Sequence, residues 1–350
     1  MSESSNRPAS FLIVRLGAIG DVLRVCPAVQ RLRRTYPDAR IGWAVEHWVA
    51  PLVEANPNVD VVHVLDRREL RKGKLAAIRE FRRHVKEIRA VRYDVALDFH
   101  GRLKSGLITR MSGAQRRLGY PKDQCTELNH WFTNEHVRLE DGLENRVQRF
   151  LHLLGPLDAD TTFDYDEVGL PLTDDARAYG IKTYEDLGSP PLAVYAGTSA
   201  HQAAYHRWPA EKWIELLHRL NDEGIASVVL WGPDEHEFSE QIVKAAGGLT
   251  QLAPPTTLSE MMGLLGQFKA FIGGNTASMH MAWLQQVPTA LFTGPALPRT
   301  DSPMPPLPCH ALRKDSLVRD GVSKRHQSDV TSAVSVDDAH AAVHDLLQSR

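Results

Sequence analysis

A short apolar run, a glycine-bearing turn and a helix-spaced apolar pattern open the chain, and this order constrains the fold more than any other feature. Phe11–Val14 has the unbroken hydrophobicity of a strand buried on both faces. Arg15-Leu16-Gly17-Ala18-Ile19-Gly20 follows. From Asp21 onward Val22, Val25, Val29 and Leu32 recur at spacings of three and four, the period of an amphipathic helix. Ile41–Glu46, Val59–Leu65 and Val95–Phe99 read as further strands. After a break the pattern resumes with strands at Leu192–Tyr195, Ala226–Leu230, Ala270–Ile272 and Thr289–Phe292. Helices are expected between them over Pro209–Asn221, Glu237–Ala246 and Met279–Gln286, and the tail Ser335–Gln348 has apolar residues at helical spacing. Strands alternating with helices predict an α/β fold with parallel sheets covered on both faces.

Gly155, Pro156, Pro171, Gly180, Gly188, Pro190 and Pro191 punctuate the region between the two series. The expected division is a Rossmann-like domain over 1–165, a linker over 166–190, a second Rossmann-like domain over 191–330 and a C-terminal helix over 331–350. Charge supports two halves with different partners: residues 1–150 carry 27 Lys and Arg against 18 Asp and Glu, and 151–350 carry 14 against 25. No apolar run approaches the ~18 residues of a membrane span, and the N-terminus has no apolar leader. Cys26, Cys125 and Cys309 lack metal-ligand spacing. A cytoplasmic protein is expected.

Ligands of open α/β sheets bind at the carboxyl ends of the strands, which directs attention to 15–21, 98–106, 196–208 and 273–280. Asp21 reads equally as a helix cap or as a carboxylate acting as general base. Gly20 permits close backbone approach of an anion to the helix start. Gly273 to His280 follows a strand and opens a helix, so its backbone N–H groups and the hydroxyls of Thr276 and Ser278 suit a diphosphate. Thr198 and Ser199 form a second turn with hydroxyl donors, and His206 and Arg207 add cations just before a helix. Glu235, after another strand, is a candidate for ribose hydroxyls, although a solvated loop reads as well there.

Residues 67–92 hold eleven Lys and Arg, among them Arg67, Arg68, Arg71 and Lys72. Ile78, Phe81, Val85 and Ile88 form the apolar stripe expected of a helix whose outer face is basic. That face suits an anionic acceptor or membrane surface. Nucleic acid is disfavoured because the cluster has almost no aromatic residues for base stacking. Asp158, Asp160, Asp164 and Asp166 imitate metal-binding acidic pairs, but they fall between the two series rather than at a strand end, so no catalytic metal is expected.

Taken together these segments resemble glycosyltransferase family 9, which contains the ADP-heptose–lipopolysaccharide heptosyltransferases. The resemblance rests on FLIVRLGAIGDVLRVCPAVQRLRRTYPDARI (11–41), LDFHGRLKSGLITRMSGAQRRLGY (97–120), YAGTSAHQAAYHRWPAEKWIELLHRL (195–220) and FIGGNTASMHMAWLQQVPTALFTG (271–294), which appear in the family's order. It implies a GT-B fold, two Rossmann-like domains with parallel sheets facing a central cleft. It also implies inverting, metal-independent transfer of a heptose or related sugar, without a cofactor, in which Asp21 activates an acceptor hydroxyl. The first domain would take an anionic, lipid-linked saccharide acceptor through Arg67, Arg68, Arg71, Lys72, His100, Arg102, Lys104 and Arg117, with peripheral contact to the inner membrane. The second would hold a nucleotide-sugar donor such as ADP-heptose through Thr198, Ser199, His206, Arg207, Glu235, Asn275, Thr276, Ala277 and His280. Two positions depart from the family pattern. His206 stands where a lysine is usual, and Asn275 where an aspartate is usual. Two other readings remain open: a sugar-nucleotide isomerase of the same fold, and an inactive sugar-nucleotide binder.

Overall fold

The computed structural model describes residues 8–140, 142–143, 145–164, 172–198, 207–323 and 326–349. The chain forms two compact units, Met1–Glu167 and Val168–Arg350.

The first unit holds β1 (Ser10–Val14), β2 (Arg40–Glu46), β3 (Val61–Leu65), β4 (Val95–Asp98), β5 (Arg116–Gly119) and β6 (Glu135–His136), with helices α1 (Ile19–Thr35), α2 (Ala50–Glu54), α3 (Arg67–Arg71), α4 (Lys74–Val91), α5 (Leu103–Met111) and α6 (Arg146–His152). The second holds β7 (Leu192–Tyr195), β8 (Ser227–Val229), β9 (Thr250–Leu252), β10 (Ala270–Gly274), β11 (Thr289–Phe292) and β12 (Cys309–Leu312). Its helices are α7 (Asp174–Asp186), α8 (Ala210–Asp222), α9 (His236–Ala246), α10 (Leu258–Leu265), α11 (Ala277–Leu284), α12 (Pro298–Asp301), α13 (Asp329–Ser332) and α14 (Val336–Gln348).

The sheets are copies of one plan. The first runs β3-β2-β1-β4-β5-β6 and the second, read from its far edge, β9-β8-β7-β10-β11-β12. Every pairing in both is parallel. Each unit therefore has one point where strand order reverses, between β1 and β4 and between β7 and β10. Ligands of doubly wound sheets bind at such points. The central strands are wholly buried, as their apolar runs predict.

Two expectations need correction. The segment 166–190, expected as a linker, carries α7, whose Thr173 side chain accepts from the Ala176 N–H as its cap. This helix lies so close to α10 that a Cβ on Gly180 would stand 2.2 Å from the Gly263 carbonyl carbon. The other correction concerns α4. Val85 and Ile88 are buried, but Ile78 is 55% exposed and Leu75 85%, while Glu80 and His84 lie inside. The cause is the junction with α3. Glu80 accepts from the Asp66 N–H at 2.8 Å and binds Arg83, so a carboxylate occupies the inner face where a stripe residue was expected. His84 is buried beside it, and its pKa falls to about 4 through desolvation.

No described helix is long and apolar enough to cross a membrane.

Candidate functional site

In the first unit the strand reversal opens a cavity of about 590 Å³. Its wall combines the turn after β1 (Arg15 to Ala18), Asp21, the end of β2 (Glu46), the turn after β4 (Phe99 to Arg102), Arg67, Tyr120, and Arg146, Arg149 and Phe150 from α6.

Asp21 is not the cap of α1. Ala18 is the cap, and Asp21 sits in the first turn with its carboxylate facing cations. Arg15 pairs with it through Nη2, Arg24 lies 2.9 Å away and Arg146 3.2 Å away. Three guanidiniums favour the ionised carboxylate, the form a base requires. Arg15 is itself buried and donates to the Phe99 carbonyl at 2.8 Å. Burial pulls its pKa down, and Asp21 works in the opposite direction.

The β4 turn is shaped by Asp98. This fully buried carboxylate accepts the N–H groups of His100 (2.9 Å) and Gly101 (3.0 Å) through Oδ1, and Asn129 Nδ2 donates to Oδ2 at 2.7 Å. Gly101 takes φ +70°, a conformation that favours glycine. The turn so fixed sets His100 against β1, where its Nδ1 accepts the Leu16 N–H at 3.3 Å. Burial, Arg15 and Arg102 push the His100 pKa down to about 4, so the ring is neutral with its proton on Nε2.

Glu46 answers the arginines. Lys104 donates to Oε1 at 2.7 Å, and Trp48 Nε1 donates to Oε2 at 2.9 Å. Burial acts to raise the Glu46 pKa, but Lys104, Trp48 and Arg67 outweigh it and leave it below the usual carboxylate range.

Among the sequence-predicted acceptor residues, Arg67, His100 and Arg102 line the cavity with Asp21, and Lys104 reaches it through Glu46. Arg68, Arg71, Lys72 and Arg117 do not line it. Arg68 is held by Asp66 and Lys72 by Glu69. Arg117 donates to the carbonyls of Phe132 and Ala114 and so braces β5. Gly20 does not line the cavity, but its carbonyl accepts from Arg24 Nε at 3.0 Å. Sequence reasoning missed Arg15, Glu46 and the arginines of α6. Arg15 abuts the end of β1, a position that strand-end logic identifies. Arg146 has no local signature, because it meets Asp21 across 125 residues.

In the second unit the corresponding reversal gathers the donor candidates. Thr276 caps α11 and shares a 2.7 Å hydrogen bond with Ser278, while Asn275 N–H donates to Phe292. Ala277 is the first helical residue, and His280 is buried one turn later. Thr198 is 2% exposed, and its hydroxyl has no partner among the described residues. Arg207 donates to the Thr198 carbonyl at 3.3 Å and stacks 4.1 Å from the Phe238 ring. Glu235 lies between the turns after β7 and β8. Its Oε2 accepts the Tyr195 hydroxyl at 2.7 Å and the Gly232 N–H at 2.9 Å. Gly197 makes room, since a Cβ there would stand 2.9 Å from Glu235 Cγ. Ser199 and His206 lie outside the described residues. Asp160 binds Thr162 and Arg31, and Asp166 is outside the described residues.

Two Rossmann-like units of the same strand order, each with polar groups collected at its reversal, are the GT-B architecture of the glycosyltransferases. The chain belongs to glycosyltransferase family 9: the profile described as glycosyltransferase family 9 (heptosyltransferase) matches residues 81–305. It is 28% identical over 296 residues to lipopolysaccharide heptosyltransferase 1 of Pseudomonas aeruginosa, covering 82% of this chain and 79% of that one. Among solved structures it resembles a family 9 glycosyltransferase from Veillonella parvula, with a TM-score of 0.83 at 19% identity and 98% of both chains covered. The E. coli heptosyltransferase WaaC with ADP gives a TM-score of 0.77 at 20% identity, covering 96% of this chain and 99% of that one. These structural likenesses show the fold.

Proposed function

We propose that this glycosyltransferase moves a heptose from ADP-heptose to a hydroxyl of a lipopolysaccharide inner-core acceptor, with inversion and with Asp21 as general base. The observation that carries this reading is a carboxylate set among three guanidiniums on the wall of a cavity, in a family 9 chain. The names of the relative and of the ADP-bound neighbour support the donor and the acceptor.

The acceptor hydroxyl gives its proton to Asp21 as its oxygen attacks the anomeric carbon. The bond from that carbon to the diphosphate oxygen breaks, and its electron pair leaves with ADP. Arg67, Arg102, Arg146 and Arg149 attract the anionic acceptor, and binding of its anionic groups draws guanidiniums away from Asp21 and frees a lone pair for the proton. The N-terminus of α11, with Thr276, Ser278 and Thr198, takes up the charge that develops on the diphosphate. No step requires a metal ion. The exposed side of α4 offers Leu75 and Ile78 beside Lys74, Arg82 and Lys86, a mixture suited to the anionic cytoplasmic face of a membrane.

The test is incubation of the purified protein with ADP-heptose and an inner-core acceptor, with and without a chelator. Release of ADP matched by a heptose mass on the acceptor, insensitive to chelation, is expected. Donor that stays intact points to an inactive binder, and donor that rearranges without acceptor points to an isomerase. Either result overturns the proposal.

A further inference from the structure

On the side of the second unit away from its donor turns, Glu223 ends α8 and precedes β8. It therefore lies at the amino ends of the strands, whereas Thr198, Glu235 and Thr276 lie at their carboxyl ends. The sequence His340-Ala-Ala-Val-His344 puts two imidazoles one turn apart on one face of α14. Both reach the same carboxylate. His340 Nε2 lies 2.8 Å from Glu223 Oε1, and His344 Nε2 lies 2.6 Å from Oε2. The rings themselves are 4.5 Å apart, and the three donor atoms fall within 4.8 Å of one another.

We propose that Glu223, His340 and His344 form a binding site for a divalent cation of the zinc class that clasps α14 to α8. Two imidazoles and a carboxylate are a donor set that zinc accepts in tetrahedral geometry, with water in the fourth position. Bonds of about 2.0–2.2 Å to such donors place neighbouring donor atoms ~3.3 Å apart. The two nitrogen–oxygen separations need to open by about 0.5–0.7 Å to reach that spacing, and rotation of three partly exposed side chains supplies this together with the adjustment between the two nitrogens. Each imidazole moves its proton from Nε2 to Nδ1, so two hydrogen bonds give way to three coordination bonds. The helix is already held in place: Val336, Ala339, Val343 and Leu346 are buried on its inner face, and Arg219 pairs with Asp337 beside the site. A preformed backbone reduces the ordering that binding must impose. The site is structural, because it lies at the opposite end of the sheet from the turns that would hold a donor.

The experiment uses the full chain without an affinity tag, stripped by chelator and titrated with zinc chloride against a chromophoric competitor. The wild type is expected to take up one zinc equivalent with micromolar affinity and to melt several degrees higher with zinc. His340→Ala, His344→Ala and Glu223→Gln should each lose at least tenfold in affinity and abolish the thermal shift. Magnesium, which requires oxygen donors, should cause no shift. Alanine suits helix interiors, and both histidines are partly exposed, so the histidine variants should fold; circular dichroism checks this. Uptake unchanged in all three variants would assign the zinc elsewhere, with Cys125 and His130, 3.7 Å apart, as the rival pair. That outcome, or no uptake by the wild type, overturns the proposal.

Discussion

Replacing Asp21 by Asn tests the proposed chemistry and the geometry beneath it in a single protein. The amide keeps the shape and one acceptor oxygen, but it loses the charge and the ability to take a proton. A positioned general base contributes about 10²–10⁴-fold, so kcat should fall by that factor while ADP affinity, which the proposal assigns to the other unit, stays the same. Stability responds as well. The Arg15 and Arg24 side chains are 9% and 10% exposed, and Asp21 faces both. Removing one partner of a buried pair costs roughly 3–5 kcal/mol when the remaining charge is stranded. Here each arginine keeps one carbonyl, Phe99 for Arg15 and Gly20 for Arg24. The cost should therefore shrink to about 1.5–3 kcal/mol, the worth of hydrogen bonds to charged groups. In a unit of 167 residues that amounts to a fall in Tm of roughly 3–12 °C. Initial rates of ADP release at saturating donor and acceptor, together with a melting curve, measure both effects. A variant that melts lower yet turns over within tenfold of wild type would refute the base assignment and leave Asp21 as a counter-ion for buried arginines.

Thr198→Ala should weaken ADP binding about tenfold in a calorimetric titration, because the buried hydroxyl would lose the diphosphate as its partner. Gln at Arg82 and Lys86 together should reduce sedimentation with anionic vesicles and leave binding to neutral vesicles unchanged. Acid should destabilise the first unit through His63, His84 and His100, whose folded pKa values lie at about 4. The unfolded imidazoles titrate near 6.5, so between those values the unfolded chain binds more protons and stability is lost as pH falls. On the order of 1–2 kcal/mol for each histidine between pH 7 and 5 should appear in urea midpoints, and His84→Leu should flatten the slope. Gly180→Ala should destabilise the second unit by about 1–3 kcal/mol, read from the same melts, because α7 and α10 have no space for a methyl group.

The sheet centres were legible because a strand buried on both faces must be apolar throughout, as Leu12, Ile13, Val194 and Ile272 are. Strands farther out were not. β6 is two residues, Glu135 and His136, and β5 begins with two arginines, whose long side chains brace neighbouring carbonyls and carboxylates. Periodicity also misjudged α4, because Glu80 is buried to serve a hydrogen bond rather than to fill an apolar core. The site divides in the same way. Thr276 and Thr198 were visible because a glycine turn with hydroxyls is a local pattern. The ring of cations around Asp21 was not, because it draws Arg15 from the turn after β1 and Arg146 from α6, and only the fold brings them together.

The packing of α14 bears on how the protein is made. Val336, Ala339, Val343 and Leu346 share a core with Leu192, Val194, Trp213 and Phe292, so a helix made after every strand of the second sheet is part of that unit's interior. The first unit spans Met1–Glu167, so all of its residues are synthesised before the second unit begins. At about 5–20 residues per second the second unit follows over roughly 10–40 s. Until α14 arrives, the part of the sheet that it covers, over β10, β11 and β12, lacks that cover. The same consideration marks the vulnerable product of premature termination: a chain with a finished first unit and a second that stays open to chaperones and proteases.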